Sequence, residues 1–153
     1  NQRQIAKNLG VSPTAVSKSI NLLEKEELIT VKREASNRFI VELNKQNPKI
    51  FNLKRVENLK MIYDSNLQEF LSESFPTCTI ILFGSFSLGE DIYSSDIDIA
   101  IIGGREISLE LKKFEALLKR KISLHFYKSL KDIDKNLRGN ILNGITLKGG
   151  IEL

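Results

Sequence analysis

Apolar positions along the chain switch between a helical and a strand-like period, and the switches mark its elements. From Gln2 to Leu9, Ile5, Ala6 and Leu9 fall at i, i+1 and i+4, and Gly10 follows as a helix stop. Ser12 and Pro13 make a helix start, because a serine hydroxyl caps exposed N–H groups and proline fits the first turn. Val16, Ile20 and Leu23 then form one apolar stripe, with Thr14, Ser17, Lys18 and Asn21 off it. Two strand-like runs, 29–33 and 38–43, flank the turn-forming Ala35-Ser36-Asn37. The predicted order is helix, turn, helix, hairpin.

Asn47-Pro48 breaks this pattern and sets a boundary between a domain over 1–47 and a second over 48–153. Within the second, 48–75 is read as linker and amphipathic helix. Leu53, Val56, Leu59, Tyr63, Leu67, Phe70 and Leu71 recur at helical spacing and predict one helix over about 52–74, with a face free to pair with a second copy. Beyond Pro76 the pattern predicts a strand over 79–83, a short helix over 86–88 and a strand over 96–102. A helix over 109–119, a strand over 121–127 and a last helix over about 130–142, ended by Gly144, complete the order. Such alternation indicates an α/β or α+β domain built on one sheet.

Composition narrows the class. Hydrophobic residues at 41% and charged residues at 27% of 153 are ordinary for a chain that buries a core. No apolar run approaches the roughly 18 residues of a membrane span, and no signal-peptide pattern opens the sequence, so a cytoplasmic protein with no membrane partner is expected. Cys78 is the single cysteine, which excludes an internal disulfide and a cysteine zinc site. The net charge is +4, and residues 1–47 hold eight Lys/Arg against five Asp/Glu, so most of the excess sits in the first domain. That suits a nucleic-acid-binding module.

Chemistry concentrates in two runs. Gly84-Ser85-Phe86-Ser87-Leu88-Gly89 leaves a strand, and a Gly-Ser turn lets backbone N–H groups and a hydroxyl come close to phosphate. Asp96-Ile97-Asp98 begins the next strand, where residues at i and i+2 share a face, so both carboxylates are placed to bind Mg2+. These are the parts that phosphoryl or nucleotidyl transfer needs: a metal to neutralise the triphosphate and fixed donors to hold it in line with an attacking hydroxyl.

The stretch from Gln4 through Ser12-Pro13-Thr14 to Lys18, followed by Leu22-Leu23-Glu24 and Leu28-Ile29, resembles the winged helix-turn-helix of MarR-like regulators. The resemblance implies DNA as a partner, with Thr14, Ser17, Lys18 and Asn21 facing the major groove and Lys32, Arg33, Asn37 and Arg38 on the wing. The competing reading is a winged helix that binds protein or packs on its neighbour. Family members carry one helix more, ahead of the first. An upstream segment or a partner chain is expected to supply it, and without it Ile5, Val16 and Ile20 are expected to lose part of their cover.

The second pair of runs is similar to minimal nucleotidyltransferases of the DNA polymerase beta superfamily, whose pattern is Gly-Ser, a Gly five residues after the first, and Asp-x-Asp about seven further on. The resemblance implies that Gly84 and Ser85 hold the phosphates of an NTP and that Asp96 and Asp98 bind Mg2+ or Mn2+. The family's third carboxylate lies on a later strand, typically in Lys-Val-Asp-Leu. Here the run is Lys121-Ile122-Ser123-Leu124-His125, so Ser123 stands at the carboxylate's position and His125 faces the same way two residues on. A hydroxyl is a weak Mg2+ ligand and imidazole prefers softer metals. Two roles follow: transfer with His125 as general base, or nucleotide sensing by a catalytically degenerate site. Glu90 or Asp91 is a candidate to make good the missing carboxylate. The reading is thus an α+β chain, a winged helix-turn-helix domain followed by a nucleotidyltransferase-fold domain with a mixed sheet flanked by helices. Its expected role is a DNA-binding transcription regulator, with enzyme activity left open. Expected partners include a protein acceptor such as a HEPN-type toxin and a second copy of the chain.

Overall fold

Ser12 starts the second helix as its chemistry dictates: its Oγ accepts from the amide of Ala15 at 3.1 Å, and Pro13 is the first helical residue. The computed structural model describes residues 2–33 and 39–151, and the chain divides into two units, Asn1–Phe51 and Asn52–Leu153. In the first unit α1 (Gln2–Leu9) and α2 (Pro13–Lys25) precede an antiparallel hairpin of β1 (Ile29–Arg33) and β2 (Phe39–Leu43), with Val31 opposite Val41. Ala6, Val16, Ile20 and Ile29 form its core, and Ile5, Val31 and Val41 pack against them. Val16 and Ile20 are each only 5% exposed, contrary to the expected loss of cover, because the hairpin closes over them, whereas Ile5 is only half-buried. Leu23 leaves the expected stripe and is 39% exposed. The chain turns at Glu27, φ 56°, and buries Leu28 instead.

The single helix expected over 52–74 is two, α3 (Lys49–Asp64) and α4 (Leu67–Ser74). Asn66 breaks it with φ 59°, a left-handed conformation that Asn adopts more readily than most residues. Ser65 stabilises the break, its Oγ donating to the Ile62 carbonyl and accepting from the Leu67 amide. The break lets Ile62, Leu67 and Leu71 enter one core, while Leu53, Val56 and Tyr63 stay exposed.

That core lies on one face of a four-stranded sheet of order β5-β4-β3-β6. β3 (Thr79–Phe83) is antiparallel to β4 (Ile97–Ile102), and β4 is parallel to β5 (Ile122–Tyr127). Between β3 and β4 stands the short α5 (Gly84–Leu88), and between β4 and β5 stands α6 (Lys112–Leu118). Ile80, Leu82, Ile97, Ile99 and Ile101 meet α3, α4 and α6 on the first face. Ile81, Phe83 and Ala100 meet Leu130, Ile133 and Ile141 on the second. Burying one such large aliphatic side chain contributes about 1.5–3 kcal/mol, so the sheet centre dominates this unit's stability.

The last helix also splits. A 3-10 turn, Leu130–Asp132, precedes α7 (Lys135–Leu142), which starts afresh because Asp134 Oδ1 accepts from the amides of Asn136 and Leu137. Sequence reading missed β6 (Ile145–Lys148), which pairs antiparallel with β3. Gly144 permits the turn into it, since a Cβ there would lie 2.3 Å from the Leu82 carbonyl oxygen.

Candidate nucleotide site

Strand β3 ends at Phe83, whose register partner on β4 is Asp98, and the chain then turns at Gly84 with φ +74° into α5. A Cβ at Gly84 would stand 2.9 Å from Oδ2 of Asp98, so only glycine lets this backbone come so near the carboxylate. Ser85 follows, half-buried. Asp96 and Asp98 share one side of their strand, and Ile97 between them points into the core.

Parallel β5 brings its side chains to the same side. Ser123 is the register partner of Asp98, and its Oγ donates to Oδ2 of Asp96 at 3.2 Å. His125 Nε2 lies 3.0 Å from Oδ1 of Asp98, and its ring meets Phe83 edge-on with centroids 5.2 Å apart. Tyr127 continues the same face, a residue that sequence reading did not single out. Its signal was available as the third member of the i, i+2, i+4 series from Ser123. Burial first, and then the negative charge of Asp98, push its phenol above the ordinary value of 10.0.

Each aspartate thus gives one oxygen to β5, and among the described residues Oδ1 of Asp96 and Oδ2 of Asp98 have no protein donor. Two hard oxygens suit Mg2+ or Mn2+. Among the described residues no three His, Cys, Asp or Glu side chains group closely enough to cage an ion. Two carboxylates side by side are the donor type that a hard divalent cation takes.

Asp91 does not replace the third carboxylate. It is buried, Asn58 Nδ2 donates to its Oδ1 at 2.8 Å, Lys54 Nζ stands 3.0 Å from the same oxygen, and Arg120 Nη2 pairs with Oδ2 at 2.9 Å. Arg120 also donates to the Ile92 carbonyl, and Lys54 to that of Asp91. The cluster pins the loop that leads into Asp96. Glu90 is exposed.

In the first unit Thr14, Lys18 and Asn21 stand exposed at i, i+4 and i+7 along α2, with Ser17 half-buried beside them. Lys32 Nζ pairs with Glu42 Oε2 at 2.7 Å across the hairpin. Both partners are largely exposed, and such a pair contributes only about 0–1 kcal/mol, too little to hold the ammonium from a phosphate. The Arg33 guanidinium lies over the Phe39 ring, 5.6 Å from its centroid. Asn37 and Arg38 lie outside the described residues.

Strand, glycine turn and paired aspartates on a small mixed sheet define a nucleotidyltransferase fold, here following a winged helix-turn-helix. Residues 65–149, more than half of the chain, match the family model described as Polymerase beta, Nucleotidyltransferase, and the chain belongs to that family. Residues 1–30 match a model described as Winged helix-turn-helix DNA-binding. No curated protein and no solved structure gave a match. No helix among the described residues is long and apolar enough to cross a membrane.

Proposed function

We propose that this chain is a DNA-binding transcription regulator whose C-terminal unit binds an NTP with Mg2+ or Mn2+ and transfers a nucleoside monophosphate to an acceptor hydroxyl. The observation that carries the reading is the oxygen on each of Asp96 and Asp98 that has no donor among the described residues, beside the close backbone approach at Gly84. Asp96 and Asp98 hold the cation, which when bound neutralises phosphate charge. Gly84 and Ser85 hold the phosphates. The acceptor oxygen forms a bond to the α-phosphorus, the bond from that phosphorus to the bridging oxygen breaks, and pyrophosphate leaves. His125 takes the acceptor's proton on an imidazole nitrogen. Ser123 orients Asp96 through its hydrogen bond.

Thr14, Ser17, Lys18 and Asn21 read DNA, with Lys32, Arg33 and Arg38 on phosphates. Two copies of the chain on a two-fold operator suit this mode of reading, and the cytoplasm is its compartment. A protein acceptor, with a HEPN-type toxin as the one the family resemblance suggests, would couple transfer to regulation.

Ser123 favours a second reading, a degenerate sensor that binds nucleotide without turnover, because a hydroxyl rather than a carboxylate adjoins Asp96. Incubation with each radiolabelled NTP, Mg2+ or Mn2+ and cell lysate separates the two. Label transfer lost in Asp96→Asn/Asp98→Asn supports the enzyme; metal-dependent nucleotide binding without transfer supports the sensor. Absence of metal-dependent nucleotide binding overturns both.

A further inference from the structure

At the other end of the same sheet a second cleft opens, where β3 begins and β4, β5 and β6 end. Its volume is about 670 Å3, inside the roughly 300–1,000 Å3 typical of small-ligand sites. It lies off the carboxyl ends of the two parallel strands, the place where open sheets with parallel strands commonly take ligands. Asp98 and Ile102 are four residues apart on β4, roughly 13 Å at a strand's rise, so the cleft is separate from the paired aspartates.

The lining divides by chemistry. Cys78, Ile102 and Leu130 give an apolar floor, and Lys128, Lys131 and Lys148 stand around it. Lys148 is held in place, its Nζ donating to the carbonyls of Ser72 at 2.7 Å and Phe75 at 3.1 Å. Lys128 and Lys131 are exposed and have no ion-pair partner among the described residues. No described lining residue is acidic, and the nearby Asp132 accepts a hydrogen bond from Ser129. The exposed ammonium groups of Lys128 and Lys131, with no acidic side chain among the described lining residues, concentrate positive potential there. The wall is shaped by Gly149, φ +83°, whose Cβ would lie 2.7 Å from Thr79 Oγ1, while that hydroxyl donates to the Gly150 carbonyl at 2.8 Å.

We propose that this cleft binds a small phosphate ester with a flat apolar body, of the nucleoside phosphate class, at a site distinct from Asp96 and Asp98. Lysines meet the phosphates and the apolar floor meets the base. Because the charge is supplied by lysine, binding here needs no metal. At the aspartates, by contrast, two carboxylates repel a triphosphate until a cation is present. The proposal stands whether or not the chain transfers nucleotides.

The test is equilibrium dialysis of the full chain against radiolabelled ATP in EDTA, with amide NMR spectra of the same titration. Saturable binding is expected, at least tenfold weaker in Lys128→Glu/Lys131→Glu and retained in Asp96→Asn/Asp98→Asn. The amides of Gly103, Gly149 and Gly150 are expected to shift while that of Gly84 does not. Both lysines are exposed, so their replacement leaves the fold intact. No saturable binding in EDTA, wild-type binding by the lysine variant, or shifts at Gly84 alone overturns the site. Inorganic pyrophosphate binding as tightly as ATP overturns the ester class, since pyrophosphate has no body for the floor.

Discussion

The Cβ that Gly84 lacks would lie 2.9 Å from Oδ2 of Asp98, so the turn out of β3 and the aspartate strand fit at a distance no other residue permits. Gly84→Ala should be costly twice over. A left-handed alanine costs about 1–2 kcal/mol, and the added methyl must displace the Asp98 carboxylate. We expect a matching fall in unfolding free energy by urea titration and at least a tenfold loss of metal-dependent nucleotide binding by calorimetry. Unchanged nucleotide affinity would remove Gly84 from the site.

Asp91 pairs with both Arg120 and Lys54 from a buried position. Asp91→Ala leaves Arg120, Lys54 and Asn58 their backbone carbonyl acceptors but removes the carboxylate that faces the two cations, and removing one partner of a buried pair costs about 3 kcal/mol or more. The urea midpoint should fall accordingly with an unchanged slope. A loss below about 0.5 kcal/mol, the range of ordinary surface changes, would show that the cluster does not hold the loop.

Tyr127 carries a pH signature. Its folded-state pKa is raised above 10.0, by burial and then by Asp98, so the protonated phenol is favoured in the fold. Its contribution is full below pH 10 and is lost as pH rises through the folded value. The stability of the wild type should therefore fall more steeply with pH above 10 than that of Tyr127→Phe, followed by urea midpoints. Asp98→Asn should lower the Tyr127 ionisation only in part, because burial is the larger cause. Parallel profiles in wild type and Tyr127→Phe would contradict the shift.

Lys18 stands exposed on α2 between Thr14 and Asn21. If it meets a phosphate, Lys18→Ala should weaken all DNA sequences alike and lower the slope of log K against log salt by about one. Thr14→Ala and Asn21→Ala should instead change sequence preference. A Lys18→Ala slope equal to the wild type's would place α2 away from the backbone.

Much of the candidate site was legible in one dimension. Turn chemistry at Gly84-Ser85 and the two-residue period at Asp96 and Asp98 are local, and Ser123 and His125 follow the same period on β5. The structure brings all four side chains together. Whether Asp91 could stand in for the third carboxylate was not legible, because nothing local distinguishes it. Its commitment comes from Lys54 and Asn58 on α3 and Arg120 after α6, partners far away in sequence.

The sequence by itself determined the helices, strands and turns whose causes lie within a few residues: Ser12 capping α2, the hairpin runs, the strand ending at Gly84. Tertiary structure decided the rest. Helical spacing runs unbroken past Asn66, and only burial of Ile62, Leu67 and Leu71 in one core selects a break there. β6 is too short to announce itself, and it forms because the open edge of β3 offers hydrogen bonds that water would otherwise fill. Backbone sterics and periodicity act between neighbours and can be read along the chain. Burial and hydrogen-bond closure act between residues that only the fold brings together.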